Sequence, residues 1–335
     1  MKRIVIIFAV MATTILGCFT AAAQTVSKDF DLKGFTGVEL GSSFKATVQK
    51  SGSYKVSVEV SDDLAPYLDV RVSKGDIIIE LRNAPTKLTI LNNRVMNATI
   101  SMPELRSVTL NGSSKLTVAD SFDLGDGSFA MATAGTSEVR QMEIHAKNAS
   151  LNLSGASRVH LNGDFVSVNI QSVGTSRLDM TANADDLTVK SAGTAVSEID
   201  GTFDTVDLDM GGTANVTLKG QADEMDVVAS SAGSVDALRM PVATATVHLS
   251  GAGVCKTYVK EALEVQCTGA STCSYKVDGD IKLDLKEIAR TATLKKLYSF
   301  LFLGEGPGQV FTPAGPFVIP GALCRLPAPT QALYG

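Results

Sequence analysis

The sequence predicts an all-β fold: a single-stranded right-handed parallel β-helix of about nine coils, each 18–23 residues long, with a β cap at its N-terminal end. Three observations predict it. A small-residue motif recurs with a period near twenty, apolar residues alternate with polar ones on both sides of each motif, and the composition suits a narrow core. Trp is absent and aromatic residues make up only 6% of the 335 residues, which points to a thin interior of small and β-branched side chains.

The first 23 residues read as an export leader. Lys2 and Arg3 precede the apolar run Ile4 to Leu16, which is too short to span a bilayer, and Ala21-Ala22-Ala23 supplies small residues for cleavage. Two processing routes stay open. Cleavage after Ala23 makes Gln24 the mature N-terminus, while Ile15-Leu16-Gly17-Cys18 forms a loose lipobox that would place a lipid on Cys18. Contact with a membrane is expected only along the second route. Loss of Lys2 and Arg3 leaves 28 basic against 35 acidic residues, a net charge of −7. No Lys/Arg-rich run occurs, which argues against a nucleic-acid partner.

Residues 26–105 carry strands without the motif. Tyr54 to Val60 alternates cleanly, and so does Asp69-Val70-Arg71-Val72, followed by a Lys74-Gly75-Asp76 step into the apolar run Ile77 to Ile79. That step reads as a hairpin. The segment is expected to cover the first coil and so hide a stack end that would otherwise pair with another chain.

Residues 106–285 hold the repeat. The motif reads Asn111-Gly112-Ser113-Ser114, Ala134-Gly135-Thr136-Ser137, Ser154-Gly155-Ala156-Ser157, Val173-Gly174-Thr175-Ser176, Ala192-Gly193-Thr194-Ala195 and Gly211-Gly212-Thr213-Ala214. It continues as Ala232-Gly233-Ser234, Ser250-Gly251-Ala252-Gly253 and Thr268-Gly269-Ala270-Ser271. Four residues before each glycine stands an apolar residue, such as Val108, Leu151, Val189 or Val265. Four after stand Leu116, Val139, Val159, Leu178, Val216, Cys255 and Cys273, with Ser197 the polar exception. Each copy is therefore strand, tight corner, strand and turn, with Gly163, Gly201, Gly220 and Gly279 serving the second turns. Stacked corners lie about 4.8 Å apart, so small side chains are favoured there, and nine coils give a rod roughly 40 Å long. Parallel crossovers favour the right-handed coil, although a period of 18 also suits a left-handed triangular one.

Residues 298–335 break the pattern. They contain six of the ten prolines, a single acid, Glu305, and the run Phe300-Leu301-Phe302-Leu303 without polar alternation. No fold follows for this Pro/Gly-rich tail.

The chain resembles the head GIN domain family of auto-transporter adhesins, common in Bacteroidetes, over roughly residues 35–279. The resemblance rests on Phe35-Thr36-Gly37-Val38-Glu39-Leu40, on Ile100-Ser101-Met102-Pro103-Glu104-Leu105 leading into Val108-Thr109-Leu110-Asn111-Gly112-Ser113-Ser114, and on the iterated Gly-Thr/Ala-Ser corner. It implies a right-handed β-helix exported to the cell envelope, with a role in adhesion. It carries over no catalytic or binding residue.

The search for chemistry gives no catalytic, cofactor-binding or metal-ligating residues. None of the metalloprotease, hydrolase, P-loop or dinucleotide motifs occurs, and His145, His160 and His248 read as ordinary surface histidines. Cys255 and Cys273 occupy one repeat position a coil apart, within disulfide reach, and read as buried thiols. The function expected is a non-catalytic exported envelope or surface protein binding a glycan or a surface protein. The alternatives are a carbohydrate-active β-helix enzyme and a self-assembling scaffold, and an oligomer fits either non-catalytic role. The enzyme would draw on outward acids, Asp185-Asp186, Asp207 with Asp209, and Asp223-Glu224. The corner ladder, with Thr136, Ser137, Ser157, Thr175 and Ser176, offers repeated hydroxyls to a ligand. The competing account is steric and weighs more: a corner accepts only small side chains whether or not a ligand meets it.

Overall fold

The computed structural model describes residues 24–89 and 94–297. The leader, the lipobox cysteine Cys18, Cys324 and the tail 298–335 lie outside the described residues. Strand makes up 67% of the described residues, arranged as a β-solenoid of about ten parallel coils.

The middle of the rod is the most regular part. Five strands, Arg158–Ser172, Arg177–Ser191, Val196–Met210, Asn215–Ala229 and Ser234–Leu249, each run through a bend and pair in parallel with the next. One half of each strand follows a corner and the other half leads into the next corner. Inward residues are buried on both halves, so Val159, Leu178 and Val216 stack in one column, and Ile170, Val189, Leu208 and Val227 in another. A single coil buries too little apolar surface to stand alone, and its stability comes from the coils above and below.

At each corner the glycine has a left-handed φ, +72° at Gly112 and +77° at Gly174. The amide two residues into the corner donates to the glycine carbonyl one coil back, as Thr175 N does to Gly155 O at 2.8 Å and Thr194 N to Gly174 O at 2.8 Å. A Cβ on Gly174 would lie 2.8 Å from that same Gly155 oxygen. Glycine is therefore required twice, by its φ and by the close stacking. The second bend uses glycine differently. Gly163 and Gly201 have ordinary φ values, yet a Cβ on them would meet the carbonyl oxygens of Ile144 and Ala182 at 1.8 and 1.7 Å.

Two corners differ from the motif series. In the seventh copy the corner residue is Ser231, with φ +63°, and not Gly233: Ala232 N donates to Gly212 O, and Ala252 N to Ser231 O. The stack also begins before Gly112. Gly37–Leu40 and Lys45–Lys50 flank a corner at Ser42, φ +61°, whose carbonyl accepts from Ser113 N at 2.7 Å. These strands pair in parallel with Ser107–Leu110 and Lys115–Val118.

The chain between Lys50 and Ser107 closes this end on both faces. On one face Met96–Met102 pairs in parallel with Lys45–Lys50, then Lys55–Ser61 and Thr25–Phe30 add antiparallel strands. On the other, the hairpin of Leu68–Ser73 and Asp76–Leu81 lies against Gly37–Leu40. Its two turn residues, Lys74 and Gly75, both have positive φ, the turn that matches strand twist. At the far end, Lys282–Ile288 and Thr293–Leu297 form the last coil of the described residues, and among these each pairs on one side only.

Candidate binding groove

The outward side chains of the post-corner half-strands line a groove of about 410 Å³. Period-two alternation puts His160, Asp179 and Glu198 in one column and Asn162, Thr181, Asp200 and Lys219 in the next. Buried Met142, Met180 and Ile199 form the floor between them, and Arg140 closes one end. The second bend at Gly163, Gly201 and Gly220 lies immediately beyond the outer column.

Ion pairs tie the walls together across coils. Arg177 Nη2 lies 2.7 Å from Glu198 Oε1 and 3.4 Å from Asp179 Oδ1. His160 Nδ1 lies 3.4 Å from Asp179 Oδ2, and Lys219 Nζ 3.9 Å from Glu198 Oε2. The hydrogen bond to Asp179, then its charge and that of Glu198, raise the Arg177 pKa. These side chains are well exposed, so the network contributes little to stability and its carboxylates and guanidinium remain open to a ligand. Donors and acceptors are both present along the groove, with at least one polar side chain at every coil.

A smaller hollow of about 250 Å³ lies on the pre-corner half-strands, lined by Thr205, Asp207, Glu224, Asp226, Thr244 and Thr246 among others. Desolvation, with Asp207 alongside, raises the Asp226 carboxyl pKa against the opposing pull of His248. Of the outward acids weighed for catalysis, the structure brings Asp207 and Glu224 to this hollow. Asp209 projects from the same strand but stacks beside Val228. Among the described residues no group of three His, Cys, Asp or Glu side chains is arranged to hold a metal ion.

The corner ladder divides. Thr136 and Thr175 are exposed, whereas Ser137, Ser157 and Ser176 are buried and face the core. Of the five hydroxyls offered as a possible ligand-facing ladder, these three serines face the core instead. The left-handed glycine turns the next residue outward and the one after it inward, so the ladder exposes every second hydroxyl only. Even the threonines are engaged: Thr175 Oγ1 donates to Gly155 O at 3.2 Å, and Thr136 shares a 2.8 Å hydrogen bond with Ser113. Sequence reasoning missed the groove because its residues follow no motif. Their signal was the charge kept at one outward position, Arg140, His160, Asp179 and Glu198, legible once the coils are aligned.

Cys255 and Cys273 are register partners on adjacent strands, buried and free, and Cys267 is buried and free beside them. Burial pushes the Cys255 thiol up to about 12.

Comparison with known proteins adds three findings. Residues 34–199 and 168–279 match the family described as "putative auto-transporter adhesin, head GIN domain". Solved structures of similar proteins include a putative adhesin from Parabacteroides merdae, at 13% identity and TM-score 0.47, covering 82% of this chain and 97% of that one. Another is a putative adhesin from Parabacteroides distasonis, at 16% identity and TM-score 0.46, with 82% and 98% covered. A putative lipid binding protein from the same organism has 13% identity and TM-score 0.43, with 82% and 97% covered. No curated protein matches.

Proposed function

The chain belongs to the head GIN domain family of putative auto-transporter adhesins, and from that premise we propose that it is a non-catalytic, exported surface module that binds a glycan along its polar groove. The observation that carries the reading is a polar side chain at every coil of the groove, with the cations Arg140 and Lys219 and the carboxylates Asp179, Glu198 and Asp200 among them. A hydroxyl-rich polymer lying along the rod meets a donor or acceptor at every coil. A flat, strongly single-signed partner fits less well, because the groove carries both signs.

The test is a glycan and mucin panel probed with the purified protein, recording retention and product release together. Retention without products is expected, weakened at least tenfold in Asp200→Ala with Lys219→Ala and unchanged in Asp207→Asn. Release of sugar products that disappears in Asp207→Asn or Asp209→Asn overturns the non-catalytic reading. Retention untouched by the Asp200 and Lys219 changes moves the site away from the groove.

A further inference from the structure

We propose that two adjacent coils in the middle of the rod bind ordered water inside the solenoid, at the inner side of the corners formed by Gly174 and Gly193. Four hydroxyls point into this region: Ser172 and Ser176 from one coil, Ser191 and Ser197 from the next. All four are at most 4% exposed, and none has a hydrogen-bond partner within the protein. At the first corners of the stack the buried hydroxyls are satisfied, whereas Ser271 at the Gly269 corner lacks a partner as these four do. Ser114 donates to Asn111 O at 2.9 Å, Ser137 to Ala134 O at 3.1 Å, and Thr133 to Ser157 Oγ at 2.8 Å.

Ser172, Ser191 and Ser197 are also shorter than the side chains that continue their columns. The column through Ser172 and Ser191 holds Leu153 on one side and Met210 on the other, and Ser197 stands between Leu178 and Val216. Ala195 fills the corner position that Ser176 occupies one coil earlier. Serine in place of leucine or methionine removes apolar atoms from the interior and adds a polar one. A buried hydroxyl without a partner is costly, and a water that meets two to four of them removes that cost. Two coils earlier, the bond between Thr133 and Ser157 joins hydroxyls of neighbouring coils directly. At Gly174 and Gly193 the equivalent hydroxyls lack that partner, and the atoms missing from serine relative to leucine and methionine leave room beside polar groups, the two conditions an internal water needs.

A high-resolution crystal structure of the full chain tests this directly. Density is expected for water within hydrogen-bond distance of Ser191 Oγ and of at least one of Ser172 and Ser176. Hydroxyls rotated onto backbone carbonyls, as Ser137 is, with no density between the coils, overturn the proposal. Oxygen-17 water relaxation in solution is the second measurement. The full chain is expected to hold a long-lived water signal that is reduced in Ser172→Ala with Ser191→Ala. An unchanged signal in that folded variant also overturns it.

Discussion

Single residues set the conditions at each corner. Gly174 combines a left-handed φ with a neighbouring carbonyl 2.8 Å from where a Cβ would sit. Gly174→Ala is expected to cost roughly 1–2 kcal/mol from the φ alone and more from the clash, visible as a fall of several degrees in Tm. Ser231 already bears a similar φ, and Ser231→Gly is expected to change stability by less than about 1 kcal/mol. The relief of 1–2 kcal/mol is largely offset by the 0.5–1 kcal/mol that glycine loses in chain entropy. A large drop in Tm for Ser231→Gly contradicts this account. Asp226 is a second sensitive position. Its pKa is raised in the folded chain by desolvation first, so folding favours the protonated acid. The sign then follows: stability falls as pH rises from the ordinary aspartate range through the raised value, and the penalty is full above it. Asp226→Asn is expected to raise Tm at neutral pH and to have no such effect below about pH 3.9. Melting curves across pH check this, and an equal gain at low pH rules the desolvation argument out.

Alternation made the strands legible and, for the same reason, hid the corner at Ser231. A two-residue slip leaves every side chain on its original face, so aligning the seventh copy on Gly233 still puts Ala229 in the core, where the structure also has it. Only the φ and the amide bond to Gly212 distinguish the true corner. The first coil was obscured differently: Ser42 replaces the glycine, and 70 residues separate it from Gly112. The site was less readable than the fold. Thr136 and Thr175 were placed outward correctly, but Ser137, Ser157 and Ser176 were not, because a motif read as a unit hides that its second and third residues face opposite ways. The coil as an interchangeable unit gives its own expectation. Removing residues 175–193 joins Gly174 to Thr194 in register and should leave a folded rod shorter by about 4.8 Å in solution scattering. Removing residues 175–192 instead inverts the faces beyond the junction and should abolish cooperative melting.

At the scale of the molecule, the two ends differ. The N-terminal end is covered by antiparallel strands and a hairpin whose Arg71 pairs with Asp69 and Glu80. In the last coil Leu283 is 36% exposed, while its register partner Leu263 is 1% exposed. Lys282, Lys286, Lys295 and Lys296 lie on this coil, and its pairing with Val254–Cys267 is broken by a bulge between Val265 and Gln266. Charges and bulges are how natural sheets discourage edge pairing. Lys282→Val with Lys286→Val is therefore expected to make the protein self-associate with concentration. Sedimentation velocity checks it, and a variant that sediments as the parent does removes the lysines from this role.

The one-sided pairing of the last described coil has a mechanical consequence for any tension applied along the rod. The hydrogen bonds between coils run along the rod, so axial tension loads them one row at a time rather than all at once. The chain should yield from Thr293–Leu297 inward, coil by coil, each release of about nineteen residues adding roughly 60 Å of extended chain. Such a rod lengthens under flow in steps while the groove, deep in the middle of the stack, keeps its shape until the force front arrives.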